Sequence, residues 1–297
     1  MNASPASVTP VFAEGFSDQF WTSQDGLRLH YREYAGPDDR PAILCLPGLT
    51  RNARDFHHLA QRLGGQWRVI CPDLRGRGDS AYAKDSASYN PLQYVADIGV
   101  LLEQARIDRF VAIGTSLGGL MIMMMAAAMP ERIAGALLND VGPEISAEGL
   151  ERIRGYVGQG RSFSTWMHAA RALIEAHVEV FPDYSVTDWL AMAKRAMVVG
   201  SNGRIVFDYD MRIAEPMAGA SSAAAIDLWP ALLALKGRPV TLLRGALSDV
   251  LAQDVFRKMA KSLPDAEAVE VPRVGHAPML SENEAVAAIE RLLARVG

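Results

Sequence analysis

Ser116 stands at the apex of Ile113-Gly114-Thr115-Ser116-Leu117-Gly118-Gly119. The apolar run Phe110-Val111-Ala112-Ile113 leads in, and a long apolar segment from Leu117 to Met129 follows. Those runs predict strand, sharp turn, helix. A serine hydroxyl is a weak nucleophile until a base takes its proton and N–H groups stabilise the oxyanion. A tight turn serves both needs, since it lifts Oγ clear of the sheet edge and aims the Leu117 N–H at the developing charge. Gly114 and Gly118 flank the turn and leave room for strained backbone and close strand–helix packing.

Such a serine calls for a base, an acid to orient the base, and a second oxyanion donor. His276, in Val274-Gly275-His276-Ala277-Pro278, follows the apolar run Ala268-Val269-Glu270-Val271 and precedes the last helical pattern, so it can swing over the sheet edge. The other histidines read as structural or surface groups: His30 inside a strand, His57 and His58 on an early helix, His168 and His177 in a helical middle segment. Two carboxylates follow strand-like runs. Asp249, in Arg244-Gly245-Ala246-Leu247-Ser248-Asp249, comes one helix and one strand before His276 and is the expected acid. Asp140, in Asn139-Asp140-Val141-Gly142-Pro143, is the alternative, or else a turn residue bonding the Val141 or Gly142 N–H. The second donor is expected from Leu49 in Pro47-Gly48-Leu49-Thr50, in a turn that should depend on Gly48.

The elements that must position these groups are legible as apolar runs ending at loop residues. Ala42–Leu46 stops at Pro47-Gly48 and Val69–Cys71 at Pro72-Asp73. Phe110–Ile113 stops at the serine turn, Ala134–Leu138 at Asn139-Asp140, and Val240–Leu243 at Arg244-Gly245. Runs of this kind are strands buried on both faces of a parallel sheet. Helical patterns lie between them (Asp55–Leu63, Leu92–Gln104, Leu117–Met129), so an open α/β sheet with helices on both faces is expected, with ligands at the strands' carboxyl ends. Phe16–Tyr34 reads as a hairpin turning at Asp25-Gly26. From Glu144 to Ala225 the alternation gives way to helices and loops, read as an inserted cap. The expected division is thus 1–143 and 226–297 for the core and 144–225 for the cap, with Ala218–Ala225 as return linker and a loose start up to Phe12.

Taken together, the strand followed by PGLT, the loop Asp73-Leu74-Arg75-Gly76-Arg77-Gly78-Asp79-Ser80, then GTSLGG, RGALSD and GHAP resemble the α/β-hydrolase family in the chain order nucleophile, acid, histidine. The resemblance spans about residues 16 to 297. It implies an eight-stranded, mostly parallel sheet with a cap inserted after strand six, and a supporting rather than catalytic Asp73–Ser80 loop. Pro47 departs from the histidine that many members carry before the oxyanion-hole glycine. Serine at the elbow argues against dehalogenases and epoxide hydrolases of this fold, which use aspartate there. C–C hydrolases of ring-cleavage products usually carry a tryptophan soon after the histidine, where this chain has Ala277-Pro278-Met279-Leu280.

Composition bounds the rest. A chain of 297 residues, 49% hydrophobic and 22% charged with net charge −4, is ordinary for a globular protein and gives no reason to expect nucleic acid or an anionic membrane as partner. Cys45 and Cys71 sit inside strand runs and read as reduced core thiols, hence a cytoplasmic expectation. Met1–Pro10 lacks a signal-peptide pattern, and the longest apolar run is too short to span a membrane. No Cys/His cluster has zinc spacing, so neither metal nor organic cofactor is expected. Met121, Met123, Met124 and Met125 read as core filler. Trp166, Met167, Trp189, Met192 and Met197 are candidates for an acyl pocket, though packing is the simpler reading. Arg195, Arg204 and Arg212 are candidates for a substrate carboxylate, against solvated surface. Asp208 and Asp210, in Phe207-Asp208-Tyr209-Asp210, suggest at most a supporting or hinge position. The expectation is a serine hydrolase of a small ester or lactone, monomeric or a homodimer. A non-catalytic ligand receptor on the same fold is the competing class.

Overall fold

Burial alternates along much of the first described strand. Residues 15–216 and 227–296 are described by the computed structural model, and the first strands in it form a hairpin, β1 (Ser17–Thr22) and β2 (Arg28–Tyr34). The hairpin turns through Gly26, whose φ of 81° favours glycine. The remaining strands of this sheet are β3 (Ala42–Leu46), β4 (Val69–Pro72), β5 (Phe110–Thr115), β6 (Ile133–Asn139), β10 (Val240–Gly245) and β11 (Glu267–Val271). β3, β4, β6 and β10 are buried along their whole length, as strands covered on both faces must be.

The eight strands run in the order β1-β2-β4-β3-β5-β6-β10-β11, antiparallel at β1/β2 and β2/β4 and parallel elsewhere. This is the α/β-hydrolase architecture that the resemblance implies. The register brings the strand ends level: Leu46 lies opposite Gly114, Thr115 opposite Asn139, and Asn139 opposite Leu243. The loops after β3, β5, β6 and β10 therefore emerge side by side at one edge.

Helices cover both faces, the first three described being α1 (His57–Leu63), α2 (Pro91–Gln104) and α3 (Leu117–Ala128). One apolar layer packs Leu101, Met121 and Leu232 against the sheet, and the other packs Phe56, Leu59 and Ile289. Met121, Met123 and Met125 are fully buried in the helix Leu117–Ala128 and act as core filler. Cys45 and Cys71 are buried free thiols on neighbouring strands.

Between β6 and β10 lie helices α4 (Ala147–Tyr156), α5 (Trp166–His177) and α6 (Val186–Ala196). Each begins at a hydroxyl cap: Ser146, Thr165 and Ser185 accept from the third residue on. A small antiparallel sheet, β7 (Ser162–Phe163), β9 (Ile205–Phe207) and β8 (Met197–Val199), joins them. Sequence patterning predicts only helices and loops here, because strands of two or three residues are too short to show alternation. The expected linker Ala218–Ala225 and the expected loose start up to Phe12 lie outside the described residues. Among the described residues no helix is long and apolar enough to cross a membrane.

Candidate active site

β5 ends at Thr115 and the next helix begins at Leu117, so the whole strand-to-helix turn falls on Ser116. Its φ of 52° and ψ of −113° are strained for a side-chain-bearing residue and cost about 1–3 kcal/mol. Backbone bonds hold it there: the Ser116 N–H donates to Asn139 O at 3.0 Å, and Gly119 and Leu120 N–H donate to Ser116 O. The flanking glycines permit the close approach. A Cβ on Gly118 would lie 2.1 Å from Leu46 O, and one on Gly114 would lie 2.4 Å from the Gly118 carbonyl carbon.

His276, in the loop after β11, brings Nε2 to 2.9 Å from Ser116 Oγ. Its Nδ1 lies 2.7 Å from Asp140 Oδ2. This corrects the expectation of Asp249 as the orienting acid. Asp140 follows β6, fully buried and with φ 57°, and its carboxylate accepts from three sides. Gly245 N–H donates to Oδ1 at 2.8 Å, while Ser248 Oγ (2.6 Å) and His276 Nδ1 meet Oδ2. A carboxylate that only accepts fixes the imidazole proton on Nδ1 and leaves Nε2 to accept from serine. Asp249 turns the other way, onto Arg152 of α4, with Oδ1 2.8 Å from Nη2 and Oδ2 accepting from Nε. Burial opposes its ionisation, but Arg152 outweighs it and holds the carboxyl below its ordinary value. Ser146 Oγ also donates to Asp249 O. Asp249 thus clamps α4 to the sheet edge, and its neighbour Ser248 is the residue of that loop that reaches Asp140.

The second oxyanion-donor candidate, Leu49, lines the same cavity as Ser116 and His276. Among the described residues neither the Leu49 nor the Leu117 N–H finds a protein acceptor. Gly48 does not need to be glycine on the grounds expected. It has no left-handed φ, and a Cβ there would meet Arg51 Cγ at 3.4 Å, an ordinary contact. The turn is held from outside by Arg77, fully buried, whose Nε donates to Leu49 O at 2.8 Å and whose Nη1 donates to Arg75 O and Tyr94 Oη. Asn139 does the same for the histidine loop, donating through Nδ2 to Pro278 O at 2.8 Å and to Thr115 Oγ1. Sequence reading misses Arg77, Asn139 and Ser248 as individuals. The only signal is their place at the end of a strand (Asn139) or in the loop that follows one (Arg77, Ser248).

The cavity over Ser116 measures about 190 Å³. Its walls come from the loop after β3 (Leu49, Arg51, Asp55), from the inserted helices (Ile153, Tyr156, Leu173, His177, Met192) and from Phe207 and Tyr209. Of the five sequence candidates for an acyl pocket, only Met192 lines it. Trp189 is buried among Phe181 and Tyr184, Met197 is buried in the core, Trp166 packs at the core's margin, and Met167 is 39% exposed. Burial, then the positive charges of Arg152 and Arg51, lower the His177 pKa to about 4, so this wall is a neutral imidazole at neutral pH. Arg204 bonds Ser162 on an exposed hairpin and Arg212 grips Asp210, while Arg195 sits behind Asp55.

Phe207-Asp208-Tyr209-Asp210 ties the inserted segment to the Arg75–Ser80 loop. Gly78 N–H donates to Asp208 O and Asp210 N–H to Gly76 O, Arg54 pairs with Asp208 at 2.5 Å, and Tyr89 Oη donates to Asp210. Burial raises the Asp208 pKa against the pull of Arg54. Among the described residues, His30, Asp73 and Asp79 are the one His/Cys/Asp/Glu grouping close enough to share an ion. Protein partners already occupy most of it. The His30 ring lies between Asp73 (2.7 Å) and Asp18 (2.9 Å), and Asp73 accepts from Ala53 N–H and Asp79 N–H. Burial pulls the His30 pKa down, but the carboxylates outweigh it and hold it above the ordinary value.

The alpha/beta hydrolase family model matches residues 43–289. A 3-hydroxybutyrate-oligomer hydrolase of Cupriavidus necator is 33% identical over 267 residues, covering 88% of this chain and 90% of that one. A 2-(acetamidomethylene)succinate hydrolase of Mesorhizobium japonicum is 26% identical, covering 80% and 81%. A solved alpha/beta hydrolase from Novosphingobium aromaticivorans is 61% identical, covers 95% of this chain and 99% of that one, and superposes with a TM-score of 0.92.

Proposed function

This chain belongs to the alpha/beta hydrolase family, and on that premise we propose that it is a serine hydrolase acting on small carboxylic esters or lactones. The observation that carries the reading is the unbroken line Ser116 Oγ–His276–Asp140, at 2.9 and 2.7 Å, opening into a cavity. Ser116 attacks the carbonyl carbon while His276 Nε2 takes its proton. Asp140 keeps the ring in that tautomer and stabilises the imidazolium. The Leu49 and Leu117 N–H groups hold the oxyanion, each worth about 3 kcal/mol of transition-state stabilisation. His276 returns the proton to the leaving alkoxide, then activates the water that cleaves the acyl-enzyme. The inserted segment, over its described residues 144–216, serves as a cap that walls the acyl group from solvent. The relative named a 3-hydroxybutyrate-oligomer hydrolase supports short hydroxy-acid esters as the class to try first. The free thiols of Cys45 and Cys71 support a reducing, cytoplasmic setting.

The test is steady-state hydrolysis of 4-nitrophenyl butyrate and of 3-hydroxybutyrate dimer by wild type and Ser116→Ala. Activity should be lost in the variant. Undiminished activity there contradicts the reading, and ligand binding without product release in the wild type points to a receptor instead.

A further inference from the structure

Two guanidinium groups share one carboxylate of the cavity wall, and one of them, Arg51, lines the cavity itself. Arg51 grips Asp55 through Nε and Nη2 at 2.6 and 2.5 Å, and Arg195 Nε approaches the same Asp55 Oδ1 at 3.6 Å. That approach is too long for a hydrogen bond, and the buried Arg195 Nε has no acceptor among the described residues. Burial holds the Arg195 pKa below its ordinary value, and repulsion from Arg51 adds to this against the pull of Asp55. Arg51 Nη1 likewise has no protein partner among the described residues, and Arg51 lines the cavity. Arg54 pairs with Asp208, His177 is neutral, and Asp188, which lines a neighbouring crevice with Arg195, attracts that guanidinium. Asp55 is thus the one carboxylate among the described residues within 4 Å of both guanidinium groups, and Arg51 keeps an unpaired edge at the cavity. A carboxylate is the ligand whose charge and fork geometry match a free guanidinium edge.

We propose that Arg51, backed by Arg195, anchors a free carboxylate on the substrate, so that the ester cleaved at Ser116 is an anionic one. Arg51 belongs to the same turn as Leu49, its N–H donating to Gly48 O at 3.1 Å, and this places the anchor beside the oxyanion donors. The inference rests on the ester-hydrolase reading, and its test separates the two.

Two substrate pairs set a free carboxylate against its neutral methyl ester. Mono-(4-nitrophenyl) glutarate against its methyl ester places the carboxylate on the acyl side. 3-Butyryloxybutyrate against its methyl ester places it on the alcohol side. One anionic member should be preferred by at least about tenfold in kcat/KM, a difference of about 1.4 kcal/mol. That ratio should collapse toward one in Arg51→Met, survive in part in Arg51→Lys, and persist in Arg161→Met, which alters the other arginine lining the cavity. Serine-dependent hydrolysis with no anionic preference, or a preference that Arg51→Met keeps, overturns the inference and leaves the hydrolase reading standing. Binding tests the anchor without turnover. Calorimetry on Ser116→Ala should show monomethyl glutarate bound at least tenfold tighter than dimethyl glutarate, with the difference lost on adding Arg51→Met. Equal binding of the two overturns the inference even if no ester is cleaved.

Discussion

Replacing Asp140 by asparagine keeps the shape of the side chain and changes only what its two outer atoms can do. Oδ1 accepts from Gly245 N–H at 2.8 Å, and Oδ2 accepts from both Ser248 Oγ and His276 Nδ1. The amide of Asp140→Asn has one acceptor and one donor end. If its oxygen stays on Gly245 N–H, its NH2 points at His276 Nδ1 and donates to it. That forces the ring proton onto Nε2, the atom that must accept from Ser116. If the amide flips, two donors face each other at Gly245, at a cost of about 1–3 kcal/mol. The first orientation is therefore favoured, with the unproductive tautomer, and kcat should fall about 10⁴-fold, or roughly 5 kcal/mol. Asp249→Asn removes a charge from Arg152 but touches neither His276 nor Ser116, so its loss of kcat should stay within about tenfold. The assay is initial-rate hydrolysis of 4-nitrophenyl butyrate at saturating substrate. A larger loss in Asp249→Asn than in Asp140→Asn refutes the reasoning and returns the orienting role to Asp249.

Gly118→Ala places a methyl group 2.1 Å from Leu46 O, and the fold should lose about 3 kcal/mol in urea unfolding; an unchanged midpoint would mean that the helix can slide away from β3. Arg77→Met removes the tether on Leu49 O and should lower kcat by about ten- to a hundredfold with a smaller change in KM, which stopped-flow or steady-state rates would show; an unchanged kcat would mean that the turn aims itself. His177 has a native pKa of about 4 against an ordinary 6.5, so between those values the unfolded chain binds a proton that the native protein does not. Stability should therefore fall as pH drops from 6.5 toward 4, and His177→Gln should flatten that slope in urea titrations across the window; a slope identical to wild type argues against the buried neutral ring.

Ser116 and His276 were legible because each signal is local: a serine between two glycines at the end of an apolar run, and a histidine just past the last one. The acid was not. Asp140 and Asp249 both follow strand runs, and only the spatial order of strands separates them. Because β6 lies between β5 and β10, the residue after β6 stands between the serine turn and the end of β10, and the histidine loop reaches over β10 to meet it. Asp249 sits four residues past Gly245 and one past Ser248, the two that face Asp140, and an arginine of α4 draws its side chain outward. Chain order carries no trace of that lateral arrangement. The cavity walls were obscure for the same reason. Trp189 and Met197 have the apolar character of a pocket but are spent on packing, while Leu173, His177 and Phe207 face the space because of how α5 and β9 lie across the sheet edge. The sequence offers Arg195 as a carboxylate partner, but its setting comes from Asp55 and Arg51, which are distant in the chain.

Mass spectrometry of the Ser116 peptide after brief exposure to 4-nitrophenyl butyrate and acid quenching measures the central claim directly. A butyryl adduct on Ser116 in the wild type, absent in His276→Ala, is the predicted result. An adduct on another residue, or ester turnover with Ser116 unmodified at every quench time and undiminished in Ser116→Ala, would contradict it.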